Sequence, residues 1–219
     1  MYPDIDIVID TDEDYVNSII IENPNIMSAM IQDINEQIIG NNGISVVSDN
    51  NKIIEISKSV EIITQFIPFE INKKSLMNKL VTKLATYAKS AEHYEKTMGV
   101  LSEIESYLID LLWELDGSFE YDGIAIEPII KAIGIKFRED YDKLSEKIID
   151  YIELVTEYER KKLFFLVNLR SYVDDDEIEF LIETALGHKF NIILIDNCEH
   201  RKINNEKRYT IDNDRCIIR

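Results

Sequence analysis

Hydrophobic positions change their period along this chain, and each change marks a piece of its organisation. Residues 4–10 alternate Ile with Asp and residues 15–21 end in an Ile run, so both read as short extended segments. Asn23 followed by Pro24 signals a helix start, with Asn23 as N-cap and Pro24 in the first helical position. Met27, Met30, Ile31, Ile34 and Ile38 then recur at helical spacing as far as Gly40. The Asn41-Asn42-Gly43 turn predicts a strand over 44–48, and Asp49-Asn50-Asn51 a second turn before an extended run over 53–64. After Pro68 the period lengthens. Leu76, Leu80, Leu84, Tyr87, Ala91, Tyr94, Met98, Leu101, Ile104, Leu108, Leu111 and Leu115 follow at steps of three or four. That spacing predicts a long amphipathic helix, or two end to end with a break near Gly99. A small helix over 128–133 and a longer one over 142–158, carrying Leu144, Ile148, Tyr151, Val155 and Tyr158, complete an inserted helical part.

From Lys161 the pattern returns to α/β. Residues 163–169 are an apolar run too short for a helix and rich in Phe and Val, as expected of a strand buried on both faces. Asp174-Asp175-Asp176 heads a helix through Ala185 that closes at Gly187, and residues 191–195 read as a second buried strand. Strand, helix and strand make a parallel, right-handed βαβ unit. The tail over 208–218 reads as an edge hairpin around Asp212-Asn213-Asp214. The predicted fold class is α/β, one α/β domain built from both chain ends, residues 1–70 and 161–219, with an α-helical domain over 71–160 inserted between them.

With 219 residues, 45% of them hydrophobic, the chain can build a core without metal or disulfide staples. Cys198 and Cys216 fall in no metal-ligand spacing, and no segment resembles a signal peptide or membrane span, so a cytoplasmic protein with no membrane partner is expected. A net charge of −18 argues at first against nucleic acid, because phosphate binding depends on Lys and Arg displacing counterions. Its distribution changes that picture. Residues 1–40 hold nine acids and residues 101–127 eight, neither stretch with a Lys or Arg, so together they carry −17 of the −18. The remainder is nearly balanced and has basic stretches, Lys73, Lys74, Lys79, Lys83, Lys89 and Lys96 in one, Arg201, Lys202, Lys207, Arg208, Arg215 and Arg219 in another. Such runs are also common as plain solvated faces.

A parallel sheet invites a nucleotide-binding reading, yet no Gly-Lys dipeptide occurs, so the phosphate loop GxxxxGK[ST] is impossible, and GxGxxG is missing. The strand that would carry a metal-binding acid ends in Val167-Asn168-Leu169. His93, His188 and His200 stand in no catalytic motif, and Cys198-Glu199-His200 is a nucleophile arrangement only if the fold brings the groups together. No catalytic residue is expected. One polar cluster stands out, Glu114-Leu115-Asp116-Gly117-Ser118-Phe119-Glu120-Tyr121-Asp122-Gly123. Carboxylates concentrated in a glycine-bearing turn suit calcium, and acids at a helix C-terminus favour a compensating cation. The turn is not an EF-hand, since Gly123 placed at loop position six puts Ile129 where the terminal Glu belongs. A solvated acidic turn is the alternative.

Two strings, Glu114-Leu115-Asp116 through Ile124 to Ile130-Lys131-Ala132-Ile133-Gly134-Ile135-Lys136, and Lys161-Lys162-Leu163-Phe164-Phe165-Leu166-Val167-Asn168-Leu169-Arg170-Ser171-Tyr172, resemble the accessory spacer-acquisition protein of type II-A CRISPR systems, the Csn2 family. The likeness extends to length and to the α/β, helical, α/β order, and is strongest from Glu114 onward. It implies a degenerate P-loop-like α/β domain without enzymatic activity, in a homotetrameric ring that threads onto double-stranded DNA ends without sequence preference and serves antiviral defence. It implies calcium, with Glu114, Asp116, Glu120 and Asp122 as ligands. It also implies Lys131 and Lys136 as DNA-facing residues, followed by Lys52, Lys58 and Arg138, and partnership with the integrase and effector nuclease subunits of CRISPR adaptation. The first strand, Asp4-Ile5-Asp6-Ile7, is more acidic than the resemblance leads one to expect. Two other readings compete, a divergent nucleotide hydrolase on the same sheet and a purely structural protein-protein adaptor.

Overall fold

The computed structural model describes residues 8–11, 14–49 and 52–218, so the extended segment expected over 4–10 lies mostly outside the described residues. Two compact units result, one reaching Ile71 and resuming at Glu139, the other comprising Asn72–Arg138.

The first unit is organised by a six-stranded sheet in the order β4-β5-β6-β1-β7-β8. These strands are β1 (Val16–Ile21), β4 (Val60–Ile63), β5 (Leu163–Val167), β6 (Asn191–Asp196), β7 (Glu206–Ile211) and β8 (Ile217–Ile218). The first five in that order run parallel, and β8 turns back antiparallel on β7 as the expected edge hairpin. β1 and β5 are buried along their whole length, the signature of central parallel strands covered on both faces.

Helix α1 (Pro24–Ile38) covers one face. Its Ile26, Met27, Met30 and Ile34 join Ile19, Ile21, Phe165, Val167, Ile193, Ile195, Tyr209 and Ile211, the alternate residues of four strands, in one core cluster. Each fully buried side chain of this kind contributes ~1.5–3 kcal/mol. The opposite face carries α6 (Leu144–Glu159) and α7 (Asp175–His188), which pack on each other, with Tyr151 of α6 donating a hydrogen bond to Glu61 of β4 at 2.7 Å. β5, α7 and β6 form the parallel strand-helix-strand unit that the apolar runs predicted.

Three departures from the hydrophobic pattern have long-range causes, two of them polar side chains and the third apolar burial. Residues 44–46 do not pair as a strand, because Asp33 on α1 accepts the amides of Ile44 at 2.8 Å and Ser45 at 2.9 Å and withdraws them from any ladder; β2 (Val47–Asp49) starts later and pairs with β3 (Lys52–Ile54). Burial works against the Asp33 carboxylate, yet these bonds, with those of the Ser45 hydroxyl and Gln37, hold its pKa below the usual range. The extended run over 53–64 is broken by the single turn α2 (Ile56–Ser59), whose Ser57 carbonyl, with that of Val60, accepts from the buried Lys161 ammonium at 2.6 and 2.8 Å. α6, grouped by sequence with the helical domain over 71–160, belongs to the sheet unit because its Ile148, Ile149, Tyr151, Ile152 and Val155 are buried. The boundary of the inserted unit thus falls at Arg138 instead of 160.

The second unit holds α3 (Lys74–Ala88), α4 (Tyr94–Trp113) and α5 (Ile126–Ile133). The helix break falls at Lys89 to His93, not near Gly99, which lies inside α4. One glycine costs a helix only about 1 kcal/mol, too little to end it. The Ser90 carbonyl, accepting from both His93 and Tyr94, closes a turn instead. α4 buries none of its 20 residues, and Tyr107, Leu108, Leu111 and Trp113, the last 83% accessible, are exposed along it.

Candidate nucleic-acid interface

Three of the five expected DNA-facing residues lie in one short stretch of the helical unit. Lys131 is in the last turn of α5, which ends at Gly134 in the left-handed conformation, φ 69°, where a Cβ is strained. Lys136 and Arg138 follow on either side of Phe137. Asn72 holds this segment from both sides, accepting from the Phe137 amide at 2.9 Å and donating to its carbonyl at 3.0 Å. The half-buried Phe137 and the clamp fix the backbone while Lys131, Lys136 and Arg138 stay exposed. At the other end of α5, Glu127 is paired with Lys89 of α3 at 2.8 Å, and that hydrogen bond and charge hold its carboxyl below the usual range. Lys52 and Lys58 belong to the sheet unit; Lys52 is exposed on β3, and Lys58 forms an exposed ion pair with Glu55 at 2.6 Å.

The carboxylates assigned to calcium are all exposed. Glu114 caps α4 and Asp116, Glu120 and Asp122 follow in the turn, but among the described residues no three His, Cys, Asp or Glu side chains converge as a metal site.

At the sheet, both helices that directly follow central strands have N-termini already engaged. Asn23 Oδ1 accepts from Asn25 and Ile26 at the start of α1, where Pro24 has no amide to offer. Asp174 caps α7 by accepting from Glu177, and Asp175, Asp176 and Glu177 add negative charge to its first turn. Neither end presents the free amides and positive field that a phosphate needs. Cys198 Sγ does lie 3.5 Å from His200 Nε2, on the loop after β6.

No motif pointed to the buried arginine that ties the sheet's loops together. Arg170, in a short turn after β5, lies 3.0 Å from Glu206 Oε1 and 3.7 Å from Asp196 Oδ2, and donates to the Arg201 carbonyl at 2.9 Å. Arg208 reaches the same Glu206 at 3.2 Å and donates to the His200 carbonyl at 2.9 Å. Two guanidinium and two carboxylate groups thus balance, and pin the loop between β6 and β7. Burial raises the Asp196 pKa against the pull of Arg170. Burial also opposes the Glu206 carboxylate, but the Ile203 amide, both arginines and the Ser18 hydroxyl hold its pKa below the usual range. The signal available beforehand was Asp196 closing an otherwise apolar strand, since charges at such places are nearly always paired.

A family model described as CRISPR-associated protein (Cas_Csn2) matches residues 37–215. CRISPR-associated protein Csn2 of Enterococcus faecalis is 24% identical over 155 residues, 69% of this chain and 68% of that one. Its namesake in Streptococcus agalactiae is 24% identical over 179 residues, 80% of this chain and 78% of that one. Among solved structures, a putative ABC transporter (ATP-binding protein) from Pyrococcus furiosus aligns with 92% of this chain and 88% of its own at 10% identity, with a TM-score of 0.39. The family match spans both units and the strings that carry the clamped basic segment and the buried arginine, and the chain belongs to the Csn2 family of CRISPR-associated proteins, which works in CRISPR adaptation.

Proposed function

We propose that this chain is a non-enzymatic, sequence-independent binder of double-stranded DNA ends that acts as a homotetrameric ring in spacer acquisition. The observation that carries the reading is the clamped, exposed group of Lys131, Lys136 and Arg138 in a chain whose acids are concentrated elsewhere. Each phosphate neutralised by such a group releases a counterion, and a ring multiplies a few cations per copy by four. The acidic remainder repels DNA and confines it to the basic surface. The engaged N-termini of α1 and α7 support a role without nucleotide hydrolysis. The exposed apolar length of α4 supports self-association, because patches of that kind on a monomer are usually covered by a partner. No helix among the described residues is long and apolar enough to cross a membrane, in keeping with a cytoplasmic site of action beside the adaptation integrase and effector nuclease subunits.

The oligomer is tested by native mass spectrometry of the full chain. A mass four times the chain's 25.5 kDa is expected, and a monomer at micromolar concentration contradicts the ring. Repeating the measurement with a chelator decides the place of calcium. Dissociation would assign ligands from separate copies, and an unchanged tetramer removes calcium from the assembly.

A further inference from the structure

Within the helical unit, charge separates by helix. Residues 72–90 and 128–138 together contain eight Lys and Arg and no acid, whereas residues 91–127 contain ten acids and Lys96 alone among the bases. The two acid-free stretches are far apart in sequence, but α3 and α5 pack on each other, and α3 has Leu76, Leu80 and Ala85 buried and α5 Ile130. Their direction follows from the pairings at each end. Lys89, just after α3, meets Glu127 in the first turn of α5, while Asn72, just before α3, meets Phe137 beyond the end of α5. The helices are therefore antiparallel, and the first turn of α3 lies beside the segment that bears Lys136 and Arg138.

We propose that the DNA-binding surface extends from α5 onto α3, where Lys74 and Lys79, on different sides of that helix, act together with Lys131, Lys136 and Arg138. This inference rests on the DNA-binding reading above and enlarges its footprint. All five side chains are exposed. Lys74 lies two residues from Asn72 and so at most about 7.6 Å from it along the backbone. Lys79 is about 7.5 Å further along the helix axis. A duplex carries a phosphate about every 1.7 Å of its axis, counting both strands, so a surface of this length spans several of them.

The test is the salt dependence of binding to a fluorescent linear duplex of mixed sequence, by anisotropy, for the full chain. Lys74→Glu with Lys79→Glu is compared with Lys96→Glu with Lys207→Glu, which changes the net charge equally but removes bases outside the proposed surface. The α3 variant is expected to bind at least about 10-fold more weakly and to lower the slope of log K against log salt by about 0.9 for each phosphate it no longer neutralises, with little change in slope for the control. Lys74→Gln with Lys79→Gln, which removes charge without reversing it, is expected to move the slope in the same direction. Wild-type binding with both α3 variants indistinguishable from the control overturns the extension onto α3 and leaves the DNA reading intact. If the wild type itself shows no salt-dependent binding, the DNA reading fails with it.

Discussion

Charge reversal at both Lys131 and Lys136 is expected to weaken binding to linear duplex DNA on the order of 100-fold or more at low salt, while native mass and circular dichroism stay as in the wild type. The size follows from multiplication. In the proposed tetramer, four copies would place eight such lysines around one duplex, and proteins that neutralise a comparable number of phosphates lose ~10³–10⁵ in affinity over a modest rise in salt. The fold should not suffer. Both side chains are exposed, and the backbone between them is held by the Asn72 amide and by Gly134, which the substitutions leave in place. Undiminished binding with an intact oligomer would remove Lys131 and Lys136 from the DNA-binding surface. Abolished binding with an intact oligomer excludes an adaptor alone.

Arg170→Met is expected to be the most destabilising single change, by ~3–5 kcal/mol, because it leaves buried charge uncompensated rather than removing a whole pair. In a chain of this length that corresponds to a fall in Tm of roughly 6 to 20 °C by calorimetry. Asp196 loses the guanidinium that opposes its burial, Glu206 loses one of two, and the Arg201 carbonyl loses its donor. The pH dependence separates this cause from simple loss of packing. In the wild type Glu206 has a lowered pKa, so its contribution is complete above the ordinary carboxylate range and is lost as pH falls through its folded value. Asp196 has a raised pKa, so its burial costs stability as pH rises through that same region. Without Arg170 both carboxyls are harder to ionise, and the variant's deficit should therefore shrink from pH 7 toward pH 4. A deficit independent of pH would point to packing instead.

The elements that were legible beforehand are those fixed by burial. The Asn23-Pro24 start, the apolar stripe of α1 and the Phe-rich run of β5 each had a periodicity that only one environment satisfies, and they fold as their patterns predict. What could not be read were outcomes decided by single long-range polar interactions. Nothing local says that Asp33 will take the amides of Ile44 and Ser45, or that Lys161 will bind carbonyls about a hundred residues away at α2. The assignment of α6 depended on which partner buried its stripe, since Ile148 and Ile152 suit a helical arm and a sheet equally well. For the site, family resemblance supplied Lys131 and Lys136, and charge counting showed where acids were scarce. Neither could foresee that Asn72 brings the start of α3 to Lys136 and Arg138, because that neighbourhood joins residues 65 positions apart. The acidic turn shows the converse, since carboxylates adjacent in sequence need not converge in space.

Whether a ring takes DNA through its ends is decided by competition between two topologies of one sequence. Labelled linear duplex is bound by the full chain in a gel-shift assay, and unlabelled competitor is added either as the same linear duplex or as a covalently closed circle. The linear competitor is expected to displace the label while the circle, offering identical phosphates but no end, does not, until a single cut by a restriction enzyme makes it competent. Equal competition by the uncut circle would rule out end-threading and reduce the protein to an ordinary surface binder of DNA.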